Sequence, residues 1–298
     1  MNQVLTLSDI TKFYGPVRAL NKVSFNVPES CVFGILGPNG SGKTTLLSII
    51  LDVLKANNGN YLWFGQPGSP AQRKKIGSLL ETPNFYHYLS GVDNLKVTQS
   101  ISGRGTEEDI INVLKKVKLY ERRRSRFKTY SLGMKQRLAI AATLLGDPKV
   151  LVMDEPTNGL DPVGIAEIRE LIIELRNSGH TIIIASHLLD EVEKVCTHVA
   201  ILKTGELITT GEVNEILYDE DVIEVGAANL NALAEVLKHI GTHLKVDADA
   251  NTIQFSLPKG TAKLEEINSL CFSKGIVLNH LLLKKKRLET RFFELTNN

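Results

Sequence analysis

The sequence predicts an α/β protein: a mostly parallel core sheet, an antiparallel β layer beside it, an inserted helical subdomain, and a small α+β module behind. Three observations carry this. Up to about residue 216, short apolar runs alternate with amphipathic patterns, as they do where parallel strands are covered by helices on both faces. Residues 92–145 read almost wholly helical, so a helical subdomain, about 82–145, interrupts the alternation. Beyond the polar stretch 218–221, the order strand, helix, strand, strand, helix, strand is that of a ferredoxin-like unit.

Taken in order, residues 4–9, 23–27 and 61–64 are short and alternating, which reads as the antiparallel layer. The core strands are expected at 31–36, 150–154, 181–186 and 199–202, with an amphipathic helix over 167–176 between the second and third. The module is expected as strands 222–225, 243–246, 252–256 and 276–282, with helices 230–239, 262–272 and 287–295. This divides the chain into a domain of residues 1–216 and an accessory module of 217–298.

Composition narrows the function classes. Hydrophobic residues make up 43% and charged residues 23%, ordinary for a globular protein, and the net charge of +2 does not describe a nucleic-acid-type polycation. Residues 1–10 show no basic region followed by an apolar run, and no apolar stretch approaches the ~20 residues that span a bilayer, so neither a secretory signal nor a membrane span is expected. Cys31, Cys196 and Cys271 are odd in number and far apart, which fits a reducing compartment and buried thiols.

The chemistry is concentrated in two segments. Gly37-Pro38-Asn39-Gly40-Ser41-Gly42-Lys43-Thr44 follows an expected strand and opens a helix carrying Leu46, Leu47, Ile49 and Ile50. The glycines let backbone N–H groups turn inward around phosphate oxygens, and the helix N-terminus adds partial positive charge. Lys43 supplies the point charge for β- and γ-phosphates, the Thr44 hydroxyl suits Mg²⁺, and Thr45 continues the set. The second segment, Val150–Asp154 followed by Glu155, is an apolar strand ending in two carboxylates. At the C-terminal end of a parallel strand these face the ligand crevice, Asp154 suited to the Mg²⁺ shell and Glu155 to polarising an attacking water.

A family resemblance then becomes specific. Thr129-Tyr130-Ser131-Leu132-Gly133-Met134-Lys135-Gln136-Arg137 resembles the signature motif of ABC ATPases, with Ser131 placed 19 residues before Val150. Asp154-Glu155-Pro156-Thr157-Asn158-Gly159-Leu160-Asp161-Pro162 resembles their second acidic motif running into the D-loop. His187 resembles their switch histidine, and Tyr14 the aromatic that stacks on adenine. Ser131 also reads as a helix N-cap. The resemblance covers residues 4 to about 216 in order, and implies a P-loop NTPase fold of the ABC ATPase type that binds ATP with Mg²⁺ and hydrolyses it. It further implies that the Ser131 site, with Gly133, faces nucleotide held by a second ATP-binding subunit, a homodimer being the simplest case, and that Asp161 is also a nucleotide-binding residue. It implies a separately encoded transmembrane permease as partner, and hence a cytoplasmic chain peripheral on the inner face of the cell membrane.

Departures from the family pattern point to a branch. Glu81 stands where Gln is usual, and Glu81 with the segment 81–91 resembles the bacitracin-exporter branch, as does the tail 287–296. A carboxylate can still ligate Mg²⁺ but cannot donate a hydrogen bond when ionised. Leu132 and Met134 replace commoner Gly and Gln, while the Ser131 hydroxyl and the Gly133 backbone remain. A cluster of aromatic and aliphatic side chains, Phe85, Tyr86, Tyr88 and Leu89, lies in the segment 83–95, expected to contact the permease. Residues 115–128 carry eight cations against Glu121 alone; they read as a solvated face, or as a surface drawn to anionic headgroups or an acidic loop. No specific nucleic-acid partner is expected, since few aromatics interleave with those cations. Two rivals remain open: a non-transport ABC ATPase acting on ribosomes or DNA, and a nucleotide-binding module that does not hydrolyse.

Overall fold

The computed structural model describes residues 2–80, 84–217, 220–284, 288 and 292. Glu81, Pro83, part of the 218–221 boundary stretch and the tail helix expected at 287–295, apart from Leu288 and Phe292, lie outside the described residues. The chain divides into two compact units, Met1–Glu212 and Val213–Asn298.

In the first unit, β1 (Gln3–Tyr14), β2 (Val17–Pro28), β4 (Asn58–Trp63) and β5 (Gln66–Pro67) form an antiparallel sheet ordered β2-β1-β4-β5; β3 is Val32–Leu36. The second sheet adds β6 (Ile76–Leu79), β7 (Val150–Asp154), β8 (Thr181–Ser186), β9 (His198–Lys203) and β10 (Glu206–Glu212) in the order β10-β9-β3-β8-β7-β6. It is parallel except for the β9–β10 hairpin. β3, β7 and β8 are buried along their whole length, as expected of strands covered on both faces.

Helix Lys43–Ile50 lies in the core between these sheets. Leu46, Leu47, Ile49 and Ile50 pack in one buried cluster with Leu5, Ile10, Val23 and Trp63 from the antiparallel layer and Val152 and Ile183 from the parallel sheet. The Trp63 indole N–H donates to the Ile50 carbonyl at 2.7 Å, closing the end of that helix. Each such aliphatic side chain is worth about 1.5–3 kcal/mol in burial, so the helix that follows the phosphate loop is rigidly held.

Helices Gly91–Ser102, Glu107–Lys116 and Leu132–Leu144 build the inserted subdomain. The expectation of nearly continuous helix over 92–145 is corrected between them: Lys118 takes φ 56°, and two single turns, Tyr120–Arg122 and Phe127–Thr129, replace helix. The antiparallel strands are also longer than the alternation indicated. Register shifts along β1–β2 break the period-two pattern, so only fragments of each strand read as strand.

The second unit is a four-stranded antiparallel sheet of β11 (Glu220–Ala227), β12 (Thr242–Asp247), β13 (Thr252–Pro258) and β14 (Leu278–Lys284), ordered β12-β13-β11-β14. That is the ferredoxin-like order. Helices Leu230–Leu237 and Leu264–Ser273 bury Leu233, Leu237, Ile267 and Cys271 against Ile223, Val225, Ile253 and Phe255. Glu224 bonds Gln254 at 2.8 Å, His280 at 3.0 Å and Lys284. Lys284 does most to hold its carboxyl below the usual carboxylate range, against desolvation, and Gln254 and His280 add to the shift.

Candidate active site

The phosphate loop leaves β3 at Leu36 and enters the buried helix at Lys43. Gly42 has φ 100°, and a Cβ there would lie 2.7 Å from the Ala19 carbonyl oxygen, so the turn admits only glycine. Pro38, Asn39 and Gly40 are exposed at the tip, Gly37 and Ser41 are buried, and Thr45 is half-buried.

Lys43 folds back over the loop. Its Nζ donates to the carbonyls of Gly37 at 2.8 Å and Pro38 at 3.2 Å, and lies 3.9 Å from Glu155 Oε1. Only 6% of the residue is exposed. Burial pulls its ammonium below the ordinary lysine value, and Glu155 and Asp154 act against that pull.

The acidic residues arrive from the adjoining strand ends. β7 ends at Asp154, whose Oδ2 accepts from the Thr44 hydroxyl at 2.7 Å. Glu155 takes φ 46°, a left-handed conformation rare for a side chain of this size, fixed by its N–H donating to the Ala185 carbonyl at 2.9 Å. This turns its carboxylate toward both Lys43 and His187, whose Nδ1 lies 2.8 Å from Oε1. Lys43, Thr44, Asp154, Glu155 and His187 thus converge where β3, β8 and β7 end, the crevice where α/β sheets bind ligands.

Two buried oxygens at this place, Ser41 Oγ and Glu155 Oε2, have no hydrogen-bond partner among the described residues. Such groups cost free energy unless something fills their valence. An inward cation, a loop of N–H donors, a hydroxyl–carboxylate pair and two waiting oxygens fit a phosphate chain with a divalent cation.

The remaining candidates stand apart. Tyr14 ends β1, 47% exposed, with Lys12 Nζ 5.5 Å from its ring centre. Ser131 caps helix Leu132–Leu144, its Oγ accepting from the Met134 N–H at 3.3 Å. Asp161 caps helix Pro162–Asn177 in the same way, accepting from the Gly164 N–H at 2.9 Å. Ser131, Gly133 and Asp161 line one hollow with Gly159, Arg137 and Glu167. Among the described residues no hydrogen bond or ion pair joins these three to the 37–45 loop.

Arg137 and Glu167 were not singled out by sequence reasoning. Arg137 Nη2 approaches Glu167 Oε2 at 3.8 Å on the wall of that hollow. The available signal was helical spacing. Glu167 lies three residues beyond Gly164, and Arg137 four beyond Gly133, on the faces that the two caps open.

Known proteins resemble this chain over most of its length. The family model described as ABC transporter matches residues 20–158. An uncharacterised ABC transporter ATP-binding protein of Bacillus subtilis, YhcH, is 38% identical over 99% of this chain and 97% of its own length. The bacitracin transport ATP-binding protein BcrA of Enterococcus faecalis is 32% identical over the same shares, 99% and 97%. The lantibiotic transport ATP-binding protein SrtF of Streptococcus pyogenes is 40% identical over 70% of this chain and 91% of its own. Among solved structures, cbiO1 of Clostridium perfringens, part of the ABC transporter complex cbiONQ, superposes with TM-score 0.67 at 30% identity, covering 72% of this chain and 91% of that one. The ADP conformation of the ATP-binding cassette MJ1267 gives TM-score 0.66 at 28% identity, covering 72% and 93%.

Proposed function

Because this chain belongs to the ABC transporter ATP-binding proteins, we propose that it is the ATP-hydrolysing subunit of an exporter and works against a separately encoded transmembrane permease. The convergence of Lys43, Thr44, Asp154, Glu155 and His187 at adjacent strand ends carries this reading. Relatives named for bacitracin and lantibiotic transport support the exporter branch and disfavour a role on ribosomes or DNA.

Each residue then has a task. The 37–44 backbone and Lys43 hold the β- and γ-phosphates, Thr45 continues that contact, and Tyr14 offers its exposed ring to the adenine. Thr44 and Asp154, with Glu81, would hold Mg²⁺, which neutralises charge on the phosphates when bound. Glu155 Oε2 accepts from the attacking water and aligns it with the γ-phosphorus. His187 fixes the carboxylate through Oε1, so the free oxygen points one way.

The hollow around Ser131, Gly133 and Asp161 has no bond to the chain's own phosphate loop. A second copy closing head-to-tail supplies it to the partner's nucleotide, so two chains share two sites. Among the described residues no helix is long and apolar enough to cross a membrane. The relatives named for transport support a subunit held peripherally on the cytoplasmic face by its permease. The described part of the segment 83–95 supports the docking place. Tyr86 and Tyr88 are 49% and 68% exposed, while Phe85 packs edge-on against Phe127 at 5.2 Å.

The test pairs turnover with capture. The purified chain should hydrolyse MgATP and retain a membrane protein when pulled from solubilised membranes. Tyr88→Asp, at an exposed site, should leave turnover of the isolated chain near normal and reduce capture of that protein at least about tenfold, the loss of a desolvated interface aromatic. A chain without turnover, or capture unchanged by the substitution, sinks the corresponding half of the reading.

A further inference from the structure

The cationic run 115–128 takes no part in the site described above. Its eight cations against one acid leave the segment formally at +7, and the other residues together at −5. Three of the eight are engaged locally: Lys118 Nζ lies 3.9 Å from Glu170, the Arg123 guanidinium stacks 3.8 Å over the Tyr120 ring centre, and Lys115 Nζ lies 5.4 Å from that centre. Lys115 nevertheless stays exposed, as do Lys116, Arg122, Arg124, Arg126 and Lys128, and no carboxylate pairs with these six among the described residues. They sit on the tail of one helix, two single turns and the loops between them, not on one solvated helix face.

The backbone ties this run to the aromatic segment. The Lys128 N–H donates to the His87 carbonyl at 3.1 Å, the Phe127 N–H to Leu89 at 2.8 Å, and Ser90 forms an antiparallel bridge with Arg126. The cations therefore border the exposed Tyr86 and Tyr88. If that segment meets a membrane protein, its cationic border faces the bilayer surface beside it.

We infer that this border is a docking surface for an anionic phospholipid headgroup layer. The inference rests on the transport reading above. A diffuse anionic layer matches all six cations at once and needs no fixed geometry, which suits long side chains on short turns. An acidic protein loop would match two or three of them and leave the others without a counter-charge. Each Lys or Arg near such a surface strengthens adsorption about fivefold, and the effect falls within a Debye length.

The test is sedimentation of the purified full chain with phosphatidylcholine vesicles, with and without phosphatidylglycerol. Adsorption should require phosphatidylglycerol and should fall steeply with added salt. Arg122→Gln/Arg124→Gln/Arg126→Gln should lower it about a hundredfold, three fivefold steps. Lys238→Gln/Lys259→Gln/Lys274→Gln, the same charge removed from the second unit, should leave it near wild type. If the arginine variant fails to fold, Lys115→Gln/Lys116→Gln/Lys128→Gln serves instead. Turnover of MgATP is measured on the same preparations and should not change, so a fault in the ATPase reading shows separately. Adsorption independent of phosphatidylglycerol, equal loss in both triple variants, or binding only to an acidic peptide of the permease overturns the inference.

Discussion

Glu155 combines a left-handed backbone, φ 46°, with contacts to a buried lysine and a histidine. Strain of about 1–3 kcal/mol at a single residue persists only where its surroundings over-determine it, and here the geometry aims one carboxylate oxygen into the crevice. Glu155→Gln keeps the shape and removes the charge that polarises water. Turnover should fall by a hundredfold or more, about the contribution of one general base, while nucleotide affinity stays within a few-fold in a fluorescent-ATP titration. Lys43→Ala should do the reverse in that titration, losing tight MgATP binding because the phosphates lose their buried counter-charge. Most of these residues were legible in the sequence because phosphate chemistry needs particular groups at fixed spacing. Glu155's inverted backbone and the Arg137–Glu167 contact were not, since a dihedral angle and a cross-helix approach leave no pattern in composition or period.

At the scale of elements, the helix that Ser131 caps tests whether that residue has one role or two. Its Oγ satisfies one of the free N–H groups at the start of Leu132–Leu144. Ser131→Ala should cost about 1 kcal/mol of stability, read by urea denaturation with Trp63 as the probe in the same unit. Ser131→Asp should keep the cap and its stability. It should still suppress turnover strongly, because it sets a negative charge against the partner's γ-phosphate. Equal turnover in wild type and the aspartate variant would reduce Ser131 to a cap. The buried core strands were read from sequence to within a residue or so, since continuous apolar runs bounded by turns have few other readings. β6 and β10 were not read as strands. β6 is four residues long and holds Gly77, where a Cβ would lie 2.1 Å from the Thr143 carbonyl oxygen. Edge strand β10 sets Leu207 and Ile208 side by side and follows them with Thr209, Thr210 and Gly211, so it lacks the period-two alternation that marks a strand.

At the scale of the whole molecule, the chain carries two separate candidate sites, with no hydrogen bond or ion pair joining Ser131, Gly133 or Asp161 to the 37–45 loop among the described residues. One is the phosphate crevice and the other the hollow between the caps of Ser131 and Asp161. On the head-to-tail proposal these are complementary halves of a symmetric pair whose closure needs ligand at the seam, so nucleotide should set the dimer population. The expectation of a dimer came from the family resemblance, and no motif in the sequence marks a cargo. The most direct measurement is sedimentation velocity of Glu155→Gln, which retains nucleotide without consuming it. Without nucleotide the chain should sediment as a monomer, and MgATP should convert most of it to a dimer, with Ser131→Asp in the same background blocking the conversion. Identical profiles with and without MgATP would contradict the shared-site account.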